Sequence, residues 1–162
     1  MKKIMFNDKY GLTQAVLEGR KTMTRRWAKT KRSPYKPGEI VAVAQSYKDA
    51  GLEPTIEQSG TLQPAVGNSA GWKNKMFVQS WLMPHKIRIT NVRVERLQDI
   101  GDEECLREGI YEVPFCEYAW EDNGPTFGTP REAFASLIDK VSGKGTWDKN
   151  RRMFVYEFEL VR

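Results

Sequence analysis

The chain has 162 residues, 40% of them hydrophobic and 29% charged, with 26 Lys and Arg against 21 Asp and Glu. That length and balance predict a single folded domain over residues 1–162 with a buried core, and they exclude a disordered or low-complexity chain. No apolar run approaches the ~20 residues needed to cross a bilayer, and the apolar start at Ile4 to Phe6 stops too soon for a signal-peptide core, so the expectation is a cytoplasmic protein without membrane contact.

Asn7 or Asp8 is placed to cap a first helix running to Glu18, with Leu12, Ala15 and Val16 on one side and Gly19 as its stop. A basic loop follows, Gly19-Arg20-Lys21-Thr22-Met23-Thr24-Arg25-Arg26. From Arg20 to Arg32 there are 7 Lys and Arg and no acid, whereas the other 149 residues carry 19 basic and 21 acidic side chains. The positive charge is therefore concentrated in one short segment. The Pro37-Gly38 turn then leads into Glu39–Gln45, a near-continuous apolar run that reads as a buried strand. Residues 48–75 are rich in Gly, Ser, Pro, Asn and Gln and predict a long surface excursion with room for a hairpin.

Strand character returns after Met76. Ile87 and Ile89 share one parity and Val92 and Val94 the other, so the phase slips at Thr90-Asn91 as a β-bulge or sharp bend requires. Residues 102–108 form a short acidic helix closed by Gly109. A second loop-rich excursion, 111–128, carries Tyr111, Phe115, Tyr118, Trp120 and Phe127. Thr129-Pro130-Arg131-Glu132 has Thr as cap, Pro at the first helical position and Glu three after the cap, the start of a helix that buries Phe134, Leu137 and Ile138. Met153 to Val161 alternates as a final strand. Strands separated by short helices and long loops predict an α+β fold built on a small mixed barrel.

Two distant cysteines, Cys105 and Cys116, and the single His85 lack the clustered four-ligand spacing of a structural zinc site. There is no Walker loop and no GxGxxG, so neither metal nor cofactor is expected. Free cysteines of this kind are ordinarily buried apolar side chains rather than nucleophiles.

The basic loop is the candidate functional segment, because a concentrated cationic patch with hydroxyls suits phosphate-bearing ligands. Arg20, Arg25 and Arg26 lie beside Trp27, and an aromatic next to guanidinium groups suits stacking on bases. The structural alternatives are a solvated face or, for Arg25 and Arg26, a buried ion pair.

The order of these landmarks resembles that of ASCH-domain proteins of the PUA-like superfamily, the longer type found in bacteria and phages. The matching pieces are Gly-Arg-Lys-Thr-x-Thr-Arg-Arg, Tyr35-Lys36-Pro37-Gly38-Glu39, Arg88-Ile89 through Leu97, the acidic helix ending Glu108-Gly109-Ile110, the Trp147 segment and the final strand. The resemblance implies a small PUA-like β-barrel with flanking helices and a cleft lined by the basic loop, of a kind associated with RNA and modified-base recognition. In a short bacterial branch that hydrolyses acetylated cytidine, the reaction is carried by positions corresponding to Lys21, Thr24 and Glu108. The chain departs from the pattern at Arg25, where that branch has an apolar residue. It departs again at Arg151, where relatives often have Pro, and at Gln45, where many longer relatives place an acid in the cleft.

The functional expectation is thus binding of RNA or a nucleoside-like ligand by Arg20, Arg25, Arg26, Trp27 and Gln45. One alternative is an amidohydrolase acting on acylated cytidine or a related amide, with Lys21 taking the proton of the Thr24 hydroxyl and Glu108 as acid/base. Another is a protein-interaction module of a phage or mobile element, whose basic loop meets an acidic protein partner.

Overall fold

In the computed structural model, which describes residues 1–52 and 69–162, secondary structure opens with β1 (Lys3–Ile4), α1 (Leu12–Leu17), β2 (Met23–Trp27) and β3 (Ile40–Val43). It continues through β4 (Lys86–Arg96), α2 (Asp102–Arg107), β5 (Tyr111–Val113), β6 (Glu117–Ala119), α3 (Pro130–Ser142), α4 (Thr146–Lys149) and β7 (Arg152–Val161). This is a mixed α+β fold with a five-stranded sheet in the order β1-β3-β4-β7-β2 and a separate two-stranded sheet, β5-β6. The end strands of that order, β1 and β2, are not hydrogen-bonded neighbours, so the sheet is open where the sequence predicted a barrel. With only two residues, β1 offers too few ladder bonds to carry a closure.

The described chain divides into two compact units, one of Met1–Phe6, Ile40–Ile87 and Val161–Arg162, the other of Asn7–Glu39 and Arg88–Leu160. In the first unit β1 runs parallel to β3, with Lys3 opposite Ala42 and Ile4 opposite Val43. The β3 strand is buried from Val41 to Val43, as its apolar run predicted. Ala42, Ala44, Tyr47, Val78 and Met83 form the core here. Part of the predicted 48–75 excursion, residues 53–68, lies outside the described residues. Its last residues and those after it fold as three 3₁₀ turns, Ala70–Trp72, Lys75–Phe77 and Ser80–Leu82. The Lys3 ammonium ties them down by donating to the Met76 and Val78 carbonyls at 2.6 and 2.8 Å.

The second unit contains the largest revision of the sequence reading. The basic segment is not a loop beyond Thr22: Met23–Trp27 is strand β2, antiparallel to β7, with Thr24 opposite Tyr156 and Arg25 opposite Val155. The first helix is shorter than predicted because Asn7 and Asp8 do not cap it. Asn7 accepts from the Tyr10 N–H at 3.0 Å and Asp8 from the Thr13 hydroxyl at 2.5 Å, so residues before Leu12 form a turn. The β4 strand runs unbroken, and its buried alternation stops after Ile89, with Thr90 and Asn91 both exposed where the parity slips.

The 111–128 excursion holds the β5-β6 hairpin, with Tyr111 opposite Ala119 and Val113 opposite Glu117. Its turn residues Phe115 and Cys116 are left-handed at φ 70° and 56°. No glycine announces that turn, which is why the sequence reads as a loop. Helix α3 forms as written: the Thr129 side chain accepts from the Glu132 N–H at 3.1 Å, and Phe134, Leu137 and Ile138 are buried. Trp147 meets Phe134 edge-on at 6.1 Å.

Among the described glycines of the first unit, Gly71 is the most closely packed, and an added Cβ would lie 2.6 Å from the buried Tyr47 ring. Gly71→Ala is therefore expected to lower unfolding free energy by about 1–3 kcal/mol in a urea titration. Gly128→Ala, whose Cβ would meet only Glu132 at 3.6 Å, should leave it nearly unchanged.

Candidate functional site

Lys21 follows the Gly19 turn (φ 78°) that ends the first helix, and its side chain is driven inward to 3% exposure. Its Nζ donates to the Met23 carbonyl at 2.8 Å, the Glu108 carbonyl at 2.9 Å and Glu108 Oε2 at 2.8 Å. Three hydrogen bonds match the three protons of an ammonium. Glu108 ends α2 and is 4% exposed. Its other oxygen, Oε1, accepts from Arg25 Nη1 at 2.9 Å. One buried carboxylate thus bridges two buried cations.

The bridge is the centre of a larger ion network. Arg25 Nη2 also pairs with Glu95 at 2.7 Å and with Glu104. Arg93 pairs with Glu95, Glu104 and Glu157, and Arg107 pairs with Glu157 at 2.6 Å while its Nε donates to the Thr22 hydroxyl at 3.0 Å. Four cations and four carboxylates are therefore interlocked. The acids lie 70, 79 and 83 residues from Arg25. The acids that meet Lys21 and Arg25 come from β4 and α2 rather than from the basic segment itself.

Burial pushes the Lys21 pKa down, and attraction to Glu108 opposes this without reversing it. For Arg25 burial acts in the same direction, but Glu108, Glu95 and Glu104 outweigh it and its pKa is raised. Burial raises Glu95, yet hydrogen bonds from Arg25 and Arg93 hold its carboxyl below the usual range. Glu157 is held low first by Asn91 and then by Arg107.

Thr24, on β2, is 4% exposed, and its hydroxyl makes no hydrogen bond among the described residues. It is not hydrogen-bonded to Lys21. Arg26, half-buried, has its pKa lowered by burial, countered by Tyr35, Glu108 and Tyr156. Trp27 is 46% exposed, with Lys29 Nζ 4.6 Å and the Arg151 guanidinium 3.8 Å from its ring centroid. Arg20 is exposed, paired with Glu18 at 2.7 Å, and lies 5.9 Å from the Tyr111 ring centroid. Gln45 belongs to the other compact unit, where it is 8% exposed and its Oε1 has no hydrogen-bond partner among the described residues.

The second unit therefore brings Lys21, Arg25 and Glu108 into direct contact. Glu95, Glu104, Arg93 and Arg107 were missed by sequence reasoning. A signal for them existed: Glu104 and Glu108 are spaced i,i+4 on one helix face, and Arg93 and Glu95 share one face of a strand. Cys105 is fully buried and its thiol is pushed up to about 12 by burial and by Glu108, so it is not a nucleophile at neutral pH. Among the described residues no group of three or more His, Cys, Asp and Glu could hold a metal ion, and no helix is long and apolar enough to cross a membrane.

No family model matches the chain, and no curated protein matches it. Among solved structures it is similar to a protein of Enterococcus faecalis V583 described by the family model DUF984. The identity is 14% and the TM-score 0.43, over 93% of this chain and 66% of that one. It is also similar to an ASCH domain of Lactobacillus crispatus JV V101, at 10% identity and TM-score 0.43, over 94% of this chain and 72% of that one. The chain thus spans just under two thirds of the first of these proteins.

Removing the bridging carboxylate leaves Lys21 and Arg25 buried without their shared partner. Glu108→Ala is expected to cost about 3–5 kcal/mol in chemical denaturation. The depressed Glu95 and Glu157 bind fewer protons folded than unfolded, so their stabilisation is present above the unfolded value of about 4.3 and is lost as pH falls through their folded values. The melting temperature should therefore drop on acidification below about pH 4.3, and Glu157→Gln should flatten that drop.

Proposed function

We propose that the chain is an ASCH-type, PUA-like domain that binds an uncharged nucleoside-like ligand beside β2, rather than reading the phosphates of an RNA strand. The observation that carries this reading is the neutralisation of Lys21 and Arg25, the buried cations on either side of Thr24 in the basic segment. Lys21 donates to the Glu108 carboxylate and two backbone carbonyls, Arg25 pairs with Glu95, Glu104 and Glu108, and Arg20 is paired with Glu18. The two cations on either side of Thr24 in the chain are thus engaged within the fold, while the exposed Lys29, Lys31 and Arg32 lie beyond β2; phosphate contacts are what make RNA affinity large and salt-dependent. The hydroxyl of Thr24, unused by the fold, is the polar group that β2 offers to a ligand.

A panel of nucleosides, including N4-acetylcytidine, measured by thermal shift and calorimetry tests this. Binding that changes little between low and high salt, and that Thr24→Ala weakens without lowering stability, is the expected result. Tighter binding of single-stranded RNA with a steep salt dependence would replace this reading with the RNA one. Failure of every nucleoside and RNA to bind would end both.

The contact between Lys21 and Glu108 at 2.8 Å favours a second reading, amidohydrolysis. Thr24 Oγ1 would attack the amide carbonyl, a deprotonated Lys21 would take the hydroxyl proton, and Glu108 would protonate the leaving amine before water releases the acyl group. Burial lowers the Lys21 pKa in the required direction. The cost is that the amine must turn its lone pair away from Glu108 toward Thr24. Release of cytidine from N4-acetylcytidine, abolished by Thr24→Ala while ligand binding persists, would establish turnover; binding without release would leave a reader.

A further inference from the structure

Two exposed surfaces of the second unit carry opposite charge, and neither takes part in the ion network around Glu108. The first lies where the end of β2 meets the start of β7. The Ala28 N–H donates to the Arg152 carbonyl at 3.0 Å and Trp27 stands opposite Met153, which brings Lys29 beside Arg151 and Arg152. Lys29 Nζ and the Arg151 guanidinium lie 4.6 and 3.8 Å from the centroid of the Trp27 ring, and Lys31 and Arg32 follow on the exposed chain. Trp27 leaves β2 on the opposite face from Thr24. Arg25, Arg93 and Arg107 are all paired, whereas Lys29, Lys31, Arg32, Arg151 and Arg152 have no carboxylate partner among the described residues.

The second surface is the β5-β6 hairpin and the chain just after it. From Gly109 to Pro130 there are four acids, Glu112, Glu117, Glu121 and Asp122, and no Lys or Arg, the reverse of the basic segment. All four are exposed. Glu117 and Asp122 accept only neutral hydroxyls, from Thr126 at 2.6 Å and Tyr111 at 2.7 Å. Glu112 and Glu121 have no hydrogen-bond or ion-pair partner among the described residues. At the tip Phe115 is 96% exposed. It and Cys116 hold φ values of 70° and 56°, a region that is costly for any residue with a Cβ and that glycine would occupy freely. Local folding explains neither the strained backbone nor an apolar ring left in water; presentation of the ring to another surface explains both.

No ion pair joins the two surfaces within one chain, so a partner for either lies outside it. We propose that the hairpin of one copy docks on the basic face of another, in a head-to-tail self-association. The hairpin carboxylates then meet the unpaired ammonium and guanidinium groups. Phe115 packs on the exposed part of Trp27 and on the methylene stems of Lys29 and Arg151 beside it. The cations already on the Trp27 ring stay in place and become the ion-pair donors. Because the two surfaces differ, each contact leaves one hairpin and one basic face open at the ends. A nucleic acid strand would answer the basic face but leave the acidic hairpin and Phe115 unanswered, whereas a second copy answers both.

Sedimentation equilibrium of the full chain over a concentration series, at low and high salt, tests this. A contact of this size is transient, so the series extends to about 1 mM. Expected is a weight-average mass that rises above the monomer with concentration at low salt and falls back as salt screens the pairs. Glu112→Lys with Glu121→Lys, and separately Lys29→Glu with Lys31→Glu, should each give a monomer with an unchanged melting temperature. Mixing the two should restore association, because each reversed surface then meets its complement. Phe115→Gly suits the backbone and should leave the melting temperature equal or higher, while weakening association about tenfold, as loss of one buried aromatic side chain gives. A wild-type chain that stays monomeric to the top of the series overturns the proposal, and loss of single-stranded oligonucleotide binding in Lys29→Glu with Lys31→Glu would then give the face to nucleic acid. Association that either double variant retains, that salt leaves unchanged, or that the mixture fails to restore overturns it equally.

Discussion

The carboxylate of Glu108 is the interaction on which the second compact unit depends. It stands between Lys21 and Arg25, both almost wholly buried, with one oxygen for each. Burying two cations on adjacent turns of chain is prohibitive without compensation, since desolvation of each ion costs several kcal/mol. Glu108 supplies it together with Glu95 and Glu104. The position of α2 against β2 follows from that requirement, because α2 carries both Glu104 and Glu108. The backbone agrees: the Thr22 N–H donates to the Arg107 carbonyl at 2.9 Å, stitching the end of α2 to the start of β2.

Such a network fixes register more than it adds stability. Buried ion pairs often contribute little beyond a well-packed apolar core, yet breaking one is costly. Here each acid is shared, so a slip of β2 by one residue would turn Arg25 away from three carboxylates at once. Thr24, between Met23 and Arg25 on the strand, points to the opposite face from both, and its hydroxyl makes no hydrogen bond among the described residues.

The network also bears on the meaning of charge in this chain. A net charge of +5 and a cluster of seven basic residues suggest polyanion binding. The structure instead spends Lys21 and Arg25 internally and ties Arg20 to Glu18. Trp27 is flanked by Lys29 and Arg151, so a base stacking on it must compete with cations already on the ring. Net charge is a sum over the chain, while recognition depends on which charges lack a partner.

Local signals were decisive where a structure is closed by near neighbours. Thr129-Pro130-Arg131-Glu132 determined the start of α3, Gly109 the end of α2, and the apolar run after Pro37-Gly38 the strand β3, because caps, turns and buried strands are set within a few residues. Lys21 and Glu108, singled out in separate sequence segments, meet in the structure at 2.8 Å. The strand character of Met23–Trp27 was not legible, since polar side chains read as a loop until partners about 70–83 residues away neutralise them. The β5-β6 hairpin was hidden because its turn uses Phe115 and Cys116 in a left-handed conformation rather than glycine. Sequence determined where the charged and hydroxyl side chains of the candidate segment lie along the chain; only the tertiary structure decided which of the charges are paired, because pairing between distant charges is a property of the fold and not of the local chain.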